Sequence, residues 1–277
     1  MTQNHVSEKE TWPSILERKG CPLHYWLTGE EGRPLVVFTH GALVDHHTFE
    51  PQIPVVAQHY RVLTWDVRGH GQSRPMGVPF TVQEAVEDLV ALLDVLGYRQ
   101  AILVGQSMGG NIAQEMVFLH PERVITLVDI DSTCNTLKLS TVERAMLRLA
   151  RPLFHLYPYE LLKKQSAQQS SVKPEVRQYL YEAMSQLSKD DFITIMIGTS
   201  LCLHYEPGYT IKQPLLLIRG EHDQLGNIKT AMPRWAARDS QSRYVVVPDA
   251  GHCSNQDNPE FVNQLLLDFL QKQKPSA

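Results

Sequence analysis

The chain has 277 residues, 43% of them hydrophobic and 20% charged, with a formal net charge of -4, which is the balance of a globular protein able to bury a large core. Its 26 Lys and Arg form no sequence block against 30 Asp and Glu. That removes the electrostatic case for nucleic acid or a membrane as partner and leaves a small molecule as the expected one.

In chain order, residues 35–38 (LVVF), 61–65 and 101–104 are short apolar runs that predict buried parallel strands. Between the last two, Val82, Ala85, Val86, Leu89, Leu93 and Leu96 recur at helical spacing, and Thr81 with Glu84 has the pattern of a capping box. A second helical pattern follows Ser107 and ends at His120-Pro121, after which 124–130 supply another strand. Strand alternating with helix is the rhythm of a parallel α/β sheet covered on both faces.

From 132 to about 211 no strand-like run occurs, and Val142, Ala145, Met146 and Leu149 fall at helical spacing. Strand patterns resume at 215–218 and 244–247. A closing amphipathic helix opens at Asn258-Pro259 and carries Val262, Leu265, Leu266 and Phe269. The expected organisation is an α/β core from 1–131 and 212–277, interrupted by a helical cap over 132–211, with 272–277 as a loose tail.

The chemistry centres on Gly105-Gln106-Ser107-Met108-Gly109-Gly110, set between a strand and a helix. A nucleophile on so sharp a turn needs small neighbours two residues away on each side, and Gly105 and Gly109 supply them. The following helix aims free backbone N–H groups at the site, favouring a developing negative charge. A serine hydroxyl attacks only when a base takes its proton, and the base needs an acid to orient it. His252, beyond the strand at 244–247, and Asp223, beyond the strand at 215–218, stand in post-strand loops where open α/β sheets gather ligands. Asp131, at the end of the strand 124–130, is the competing acid; Asp223 is preferred because its loop follows a strand, whereas Asp131 opens the insertion and is explained there as a helix-capping or lid-anchoring residue. Met108 N–H is one oxyanion donor by position. Ala42 N–H, in Thr39-His40-Gly41-Ala42, is the expected second, with His40 pinning that loop.

These motifs together resemble the α/β-hydrolase family over about residues 23–270. The carriers are His40-Gly41, the elbow at Ser107, the acid loop Gly220-Glu221-His222-Asp223, the terminal Gly251-His252 and the turn Asp66-Val67-Arg68-Gly69-His70-Gly71-Gln72-Ser73. The resemblance implies an α/β-hydrolase fold: a mostly parallel central sheet flanked by helices, with a helical cap insertion. It implies a serine hydrolase of a small ester or lactone, with C–C hydrolysis or a non-catalytic small-molecule receptor as the alternatives. A serine at position 107 argues against the branches that use aspartate, the dehalogenases and epoxide hydrolases.

No cofactor is expected. Asp45-His46-His47 has no further ligand at useful spacing and reads as a polar loop rather than a metal site. Cys21, Cys134, Cys202 and Cys253 are scattered and read as reduced thiols. Phe154 and Tyr157 in the insertion are the expected substrate contacts. The polar start, Met1 to Lys9, lacks the layout of a signal peptide, so the cytoplasm is the expected location.

Overall fold

The computed structural model describes residues 13–272; the polar start and all of the expected tail except Lys272 lie outside that range. Eight strands form one sheet in the order β1-β2-β4-β3-β5-β6-β7-β8. The first two, β1 (Ser14–Arg18) and β2 (Cys21–Thr28), make an antiparallel hairpin, and β2 pairs antiparallel with β4 (Arg61–Trp65). The others, β3 (Leu35–Thr39), β5 (Ala101–Gln106), β6 (Val124–Ile130), β7 (Leu215–Gly220) and β8 (Arg243–Val247), run parallel to their neighbours and to β4.

The period of two along each central strand sorts its side chains into two apolar layers. Leu35, Val37, Leu103 and Leu217 face one layer; Val36, Phe38, Val104 and Ile218 face the other. Helix α1 (Ile53–Val56) packs Val56 into the second layer. Helices α2 (Val82–Val95) and α3 (Met108–Leu119) cover the first, with Val86, Leu89, Ile112 and Met116 inside it. Thr81 caps α2 by accepting from Glu84 N–H at 3.1 Å, but the Glu84 carboxylate pairs with Lys19 at 2.7 Å instead of closing the expected box.

Between β6 and β7 the chain forms only helices: α4 (Thr141–Leu156), α5 (Tyr159–Ser170), α6 (Pro174–Ser185) and α7 (Lys189–Ser200). After β7, α8 (Ile228–Arg238) returns to the first layer through Trp235. A short turn, α9 (Ser254–Asp257), precedes α10 (Pro259–Lys272), whose Val262, Leu265, Leu266 and Phe269 complete the second. Among the described residues, no helix is long and apolar enough to cross a membrane.

Candidate active site

The parallel strands β5, β7 and β8 end on the same side of the sheet, and the loops after them carry the three residues singled out above. Ser107 sits between β5 and α3 at φ 52 and ψ -115, a backbone conformation that L residues rarely hold and that costs about 1–3 kcal/mol. Its neighbours explain how the turn closes. A Cβ on Gly105 would lie 2.2 Å from Gly109 O, and one on Gly109 would lie 1.9 Å from Thr39 O. Only glycine fits at either place. The turn is held at its apex by Ser107 N–H donating to Ile130 O at 2.8 Å.

His252 Nε2 lies 2.8 Å from Ser107 Oγ, and His252 Nδ1 lies 3.1 Å from Asp223 Oδ2. Asp223 is fully buried, and its second oxygen accepts from Leu225 N–H at 2.9 Å, so the carboxylate cannot swing away. An acceptor on the Nδ1 side puts the ring proton there and leaves Nε2 free to receive the serine proton. Burial pushes the His252 imidazole down, but the charge and hydrogen bond of Asp223 outweigh it, and the net shift is upward.

Asp131 lies behind this row and is also fully buried. One of its oxygens accepts from Gly220 N–H at 2.6 Å and the other from Ser254 N–H at 2.9 Å. It thereby ties the start of the acid loop to the residue two after His252. Burial, and then the charge of Asp223, push its carboxyl up to about 7. Gln106 adds a second tie, its Nε2 donating to His252 O at 2.8 Å. Asp257 adds a third, accepting from Gly251 N–H at 2.8 Å and from Val172 N–H, in the insertion, at 3.1 Å. Neither Gln106 nor Asp257 is visible as a site residue in the sequence. Gln106 fills the unspecified position of the Gly-x-Ser-x-Gly pattern, and Asp257 reads as a surface carboxylate until the fold brings Val172 to it.

His40 is neutral and structural. Val67 N–H donates to its Nε2 at 3.0 Å, which leaves the proton on Nδ1 to donate to Gly41 O at 2.7 Å, and burial lowers its pKa. The loop after β3 is thus fixed to the loop after β4, with Ala42 beside Ser107 on the wall of a cavity of about 560 Å³. Met108 opens α3, so its N–H has no acceptor within the helix.

That cavity is walled below by Ser107 and His252 and above by the insertion, including Met146, Phe154, Met184 and Ile197. Phe154 lines it. Tyr157 does not: it caps the C-terminus of α4, is exposed, and its hydroxyl accepts from Gln165 Nε2 at 2.8 Å.

The Asp45-His46-His47 cluster has ligand atoms within 4.8 Å of one another, closer than its spacing suggests. They are already committed to the protein. Asp45 Oδ1 accepts from Tyr179 OH at 2.8 Å and faces His47 Nδ1 at 2.9 Å, while His46 Nδ1 faces Asp66 Oδ1 at 2.8 Å and its ring stacks on Trp26 at 3.6 Å. The four cysteines are free and buried; burial pushes the Cys253 thiol well above its ordinary value, which disfavours a thiolate beside His252.

The sequence model described as the alpha/beta hydrolase family matches residues 36–265. The chain belongs to the alpha/beta hydrolase family. Among curated relatives of this hydrolase, 3-oxoadipate enol-lactonase 1 of Acinetobacter baylyi is 26% identical over 260 residues, covering 92% of this chain and 96% of its own. Epoxide hydrolase 4 of Mus musculus is 23% identical over 283 residues, covering 93% and 79%. Among solved structures, the enol-lactonase of Burkholderia xenovorans aligns with a TM-score of 0.80 at 24% identity, over 93% of this chain and 100% of that one, a likeness of fold.

Proposed function

We propose that this hydrolase cleaves a small carboxylic ester or lactone through an acyl-enzyme on Ser107. The observation that carries the reading is the unbroken row Ser107 Oγ, His252 and Asp223, at 2.8 and 3.1 Å, opening on a mostly apolar cavity. His252 Nε2 takes the hydroxyl proton as Ser107 Oγ attacks the carbonyl carbon. The N–H groups of Met108 and Ala42 receive the oxyanion, and Asp223 stabilises the imidazolium. His252 then protonates the leaving alcohol, and water repeats the sequence on the acyl-enzyme. Helices α4–α7 serve as a lid that keeps bulk water from the cavity.

The nucleophile separates this reading from epoxide opening. A carboxylate that opens an epoxide forms an ester, which water can hydrolyse at the carboxyl carbon. Serine doing the same would form an ether, which has no carbonyl for water to attack and would end the cycle. An acyl substrate avoids that trap, and a lactone-cleaving relative is consistent with it.

The test is turnover of a panel of chromogenic short-chain esters and simple lactones. Wild type should turn over at least one of them and Ser107→Ala none. Equal activity of the variant, or wild-type inactivity across the panel with the protein folded, would sink the reading.

A further inference from the structure

Helix α4 buries no side chain completely, yet it is strongly amphipathic. At about 100° per residue its inner face is set by Glu143, Leu147, Ala150 and Phe154, the four partly buried positions, which line the cavity. Two other rows remain in solvent. Val142, Met146, Leu149, Leu153 and Leu156 fall within about 80° of arc, and they are exposed, Val142 and Met146 at 66% and Leu156 at 83%. Arg144, Arg148 and Arg151 form the second row, on the opposite flank of the outward ridge marked by Ala145 and Pro152, and are exposed as well.

Leucines in such a row are ordinarily turned into a core, so a contiguous run of them in water marks a binding surface. We propose that α4 lies on an anionic lipid surface, with the leucine row entering the headgroup boundary and the arginine row meeting lipid phosphates. Charge complementarity selects this partner. Residues 138–156, which contain α4, hold four Lys or Arg and one Glu, a local excess of three positive charges in a chain whose net charge is -4. Arg144 donates to the Leu139 carbonyl at 2.9 Å rather than to a carboxylate, so its charge stays available. The ends outside the described residues, 1–12 and 273–277, are mostly polar and hold no matching apolar row.

Met146 belongs both to the exposed row and to the cavity wall, so docking along this row sets the cavity's rim against the lipid. An acyl substrate dissolved in the bilayer would then reach Ser107 without crossing water. The helical spacing of the arginines is why no basic block marks this surface in the sequence.

The experiment is flotation of the full chain with vesicles of equal parts phosphatidylcholine and phosphatidylglycerol, against phosphatidylcholine alone, at low and high salt. Wild type should float with the mixed vesicles, and salt should weaken it. The double variant Leu149→Ser/Leu153→Ser and the triple variant Arg144→Gln/Arg148→Gln/Arg151→Gln should each bind at least about tenfold more weakly. None of these five side chains lines the cavity, so turnover of a soluble ester should persist in both. Failure of wild type to bind, equal binding to neutral vesicles, or a leucine-dependent dimer in sedimentation would each overturn the proposal. Flotation requires no turnover, so none of these outcomes bears on Ser107.

Discussion

His252 turns Nδ1 to Asp223 at 3.1 Å, although a second buried carboxylate, Asp131, stands in the same pocket. Asp131 has both oxygens taken by backbone N–H groups, those of Gly220 and Ser254, whereas Asp223 has one oxygen free for the imidazole. The two carboxylates therefore differ in task. Asp223→Asn should lower kcat by about 10⁴-fold with stability nearly unchanged, because the imidazole loses its orienting charge. Asp131→Asn should keep most of its turnover but lose about 1–3 kcal/mol of stability, because an amide NH₂ must face one of the two N–H donors. Stopped assays and urea titrations of both variants check this; the reverse ranking would make Asp131 the acid.

The pH profile follows from the raised His252 pKa. Only the neutral imidazole accepts the serine proton, so a raised value moves the loss of activity to higher pH on the acid side. The acidic limb of kcat/KM should have its midpoint above the ordinary histidine value of 6.5. In Asp223→Asn the residual activity should show that limb displaced downward, since burial alone disfavours the imidazolium. A limb that stays in place would mean another group titrates.

Phe154 and Tyr157 are three residues apart but point to different places, which gives a paired test. Phe154→Ala enlarges the cavity roof and should change the ranking of acyl chain lengths. Tyr157→Ala should leave that ranking alone. A shift caused by Tyr157 and not by Phe154 would mean that α4 sits otherwise.

Arg68 and Asp88 form a bidentate pair, with both contacts at 2.6 Å and both side chains fully buried. Asp88→Asn leaves the guanidinium without its counter-charge and should cost about 3–5 kcal/mol in urea unfolding. Replacing both by apolar residues of similar volume should cost much less. A double variant as unstable as the single one would contradict the burial argument.

Most of the central sheet is legible because residues 35–38, 101–104 and 215–218 are buried on both faces and therefore continuously apolar. The hairpin of β1 and β2 is not. Ser14–Arg18 is an edge strand with mostly exposed side chains, and β2 is buried only at alternate positions, Cys21, Leu23 and Tyr25. Its two-residue turn, Lys19-Gly20, has positive φ at both residues but lacks the Asn-Gly or Asp-Gly that announces such turns. Nothing in the spacing marks α8 either, with Gly226 before it and Pro233 inside it. Within the site, Ser107, Asp223 and His252 stand out because each follows a strand. The ties made by Gln106 and Asp257 depend on residues 146 and 85 positions away and have no local pattern. In the sequence Phe154 and Tyr157 are equivalent aromatics of the insertion; only the fold separates Phe154, on the cavity wall, from Tyr157, the C-cap of α4.

The central claim is that Ser107 is the nucleophile, and covalent labelling measures it most directly. A fluorophosphonate should add once to the intact protein, and peptide mapping should place the adduct on Ser107, with no adduct on Ser107→Ala or His252→Ala over the same interval. An adduct on Cys253 or another residue, or no labelling of a folded wild type, would contradict the account.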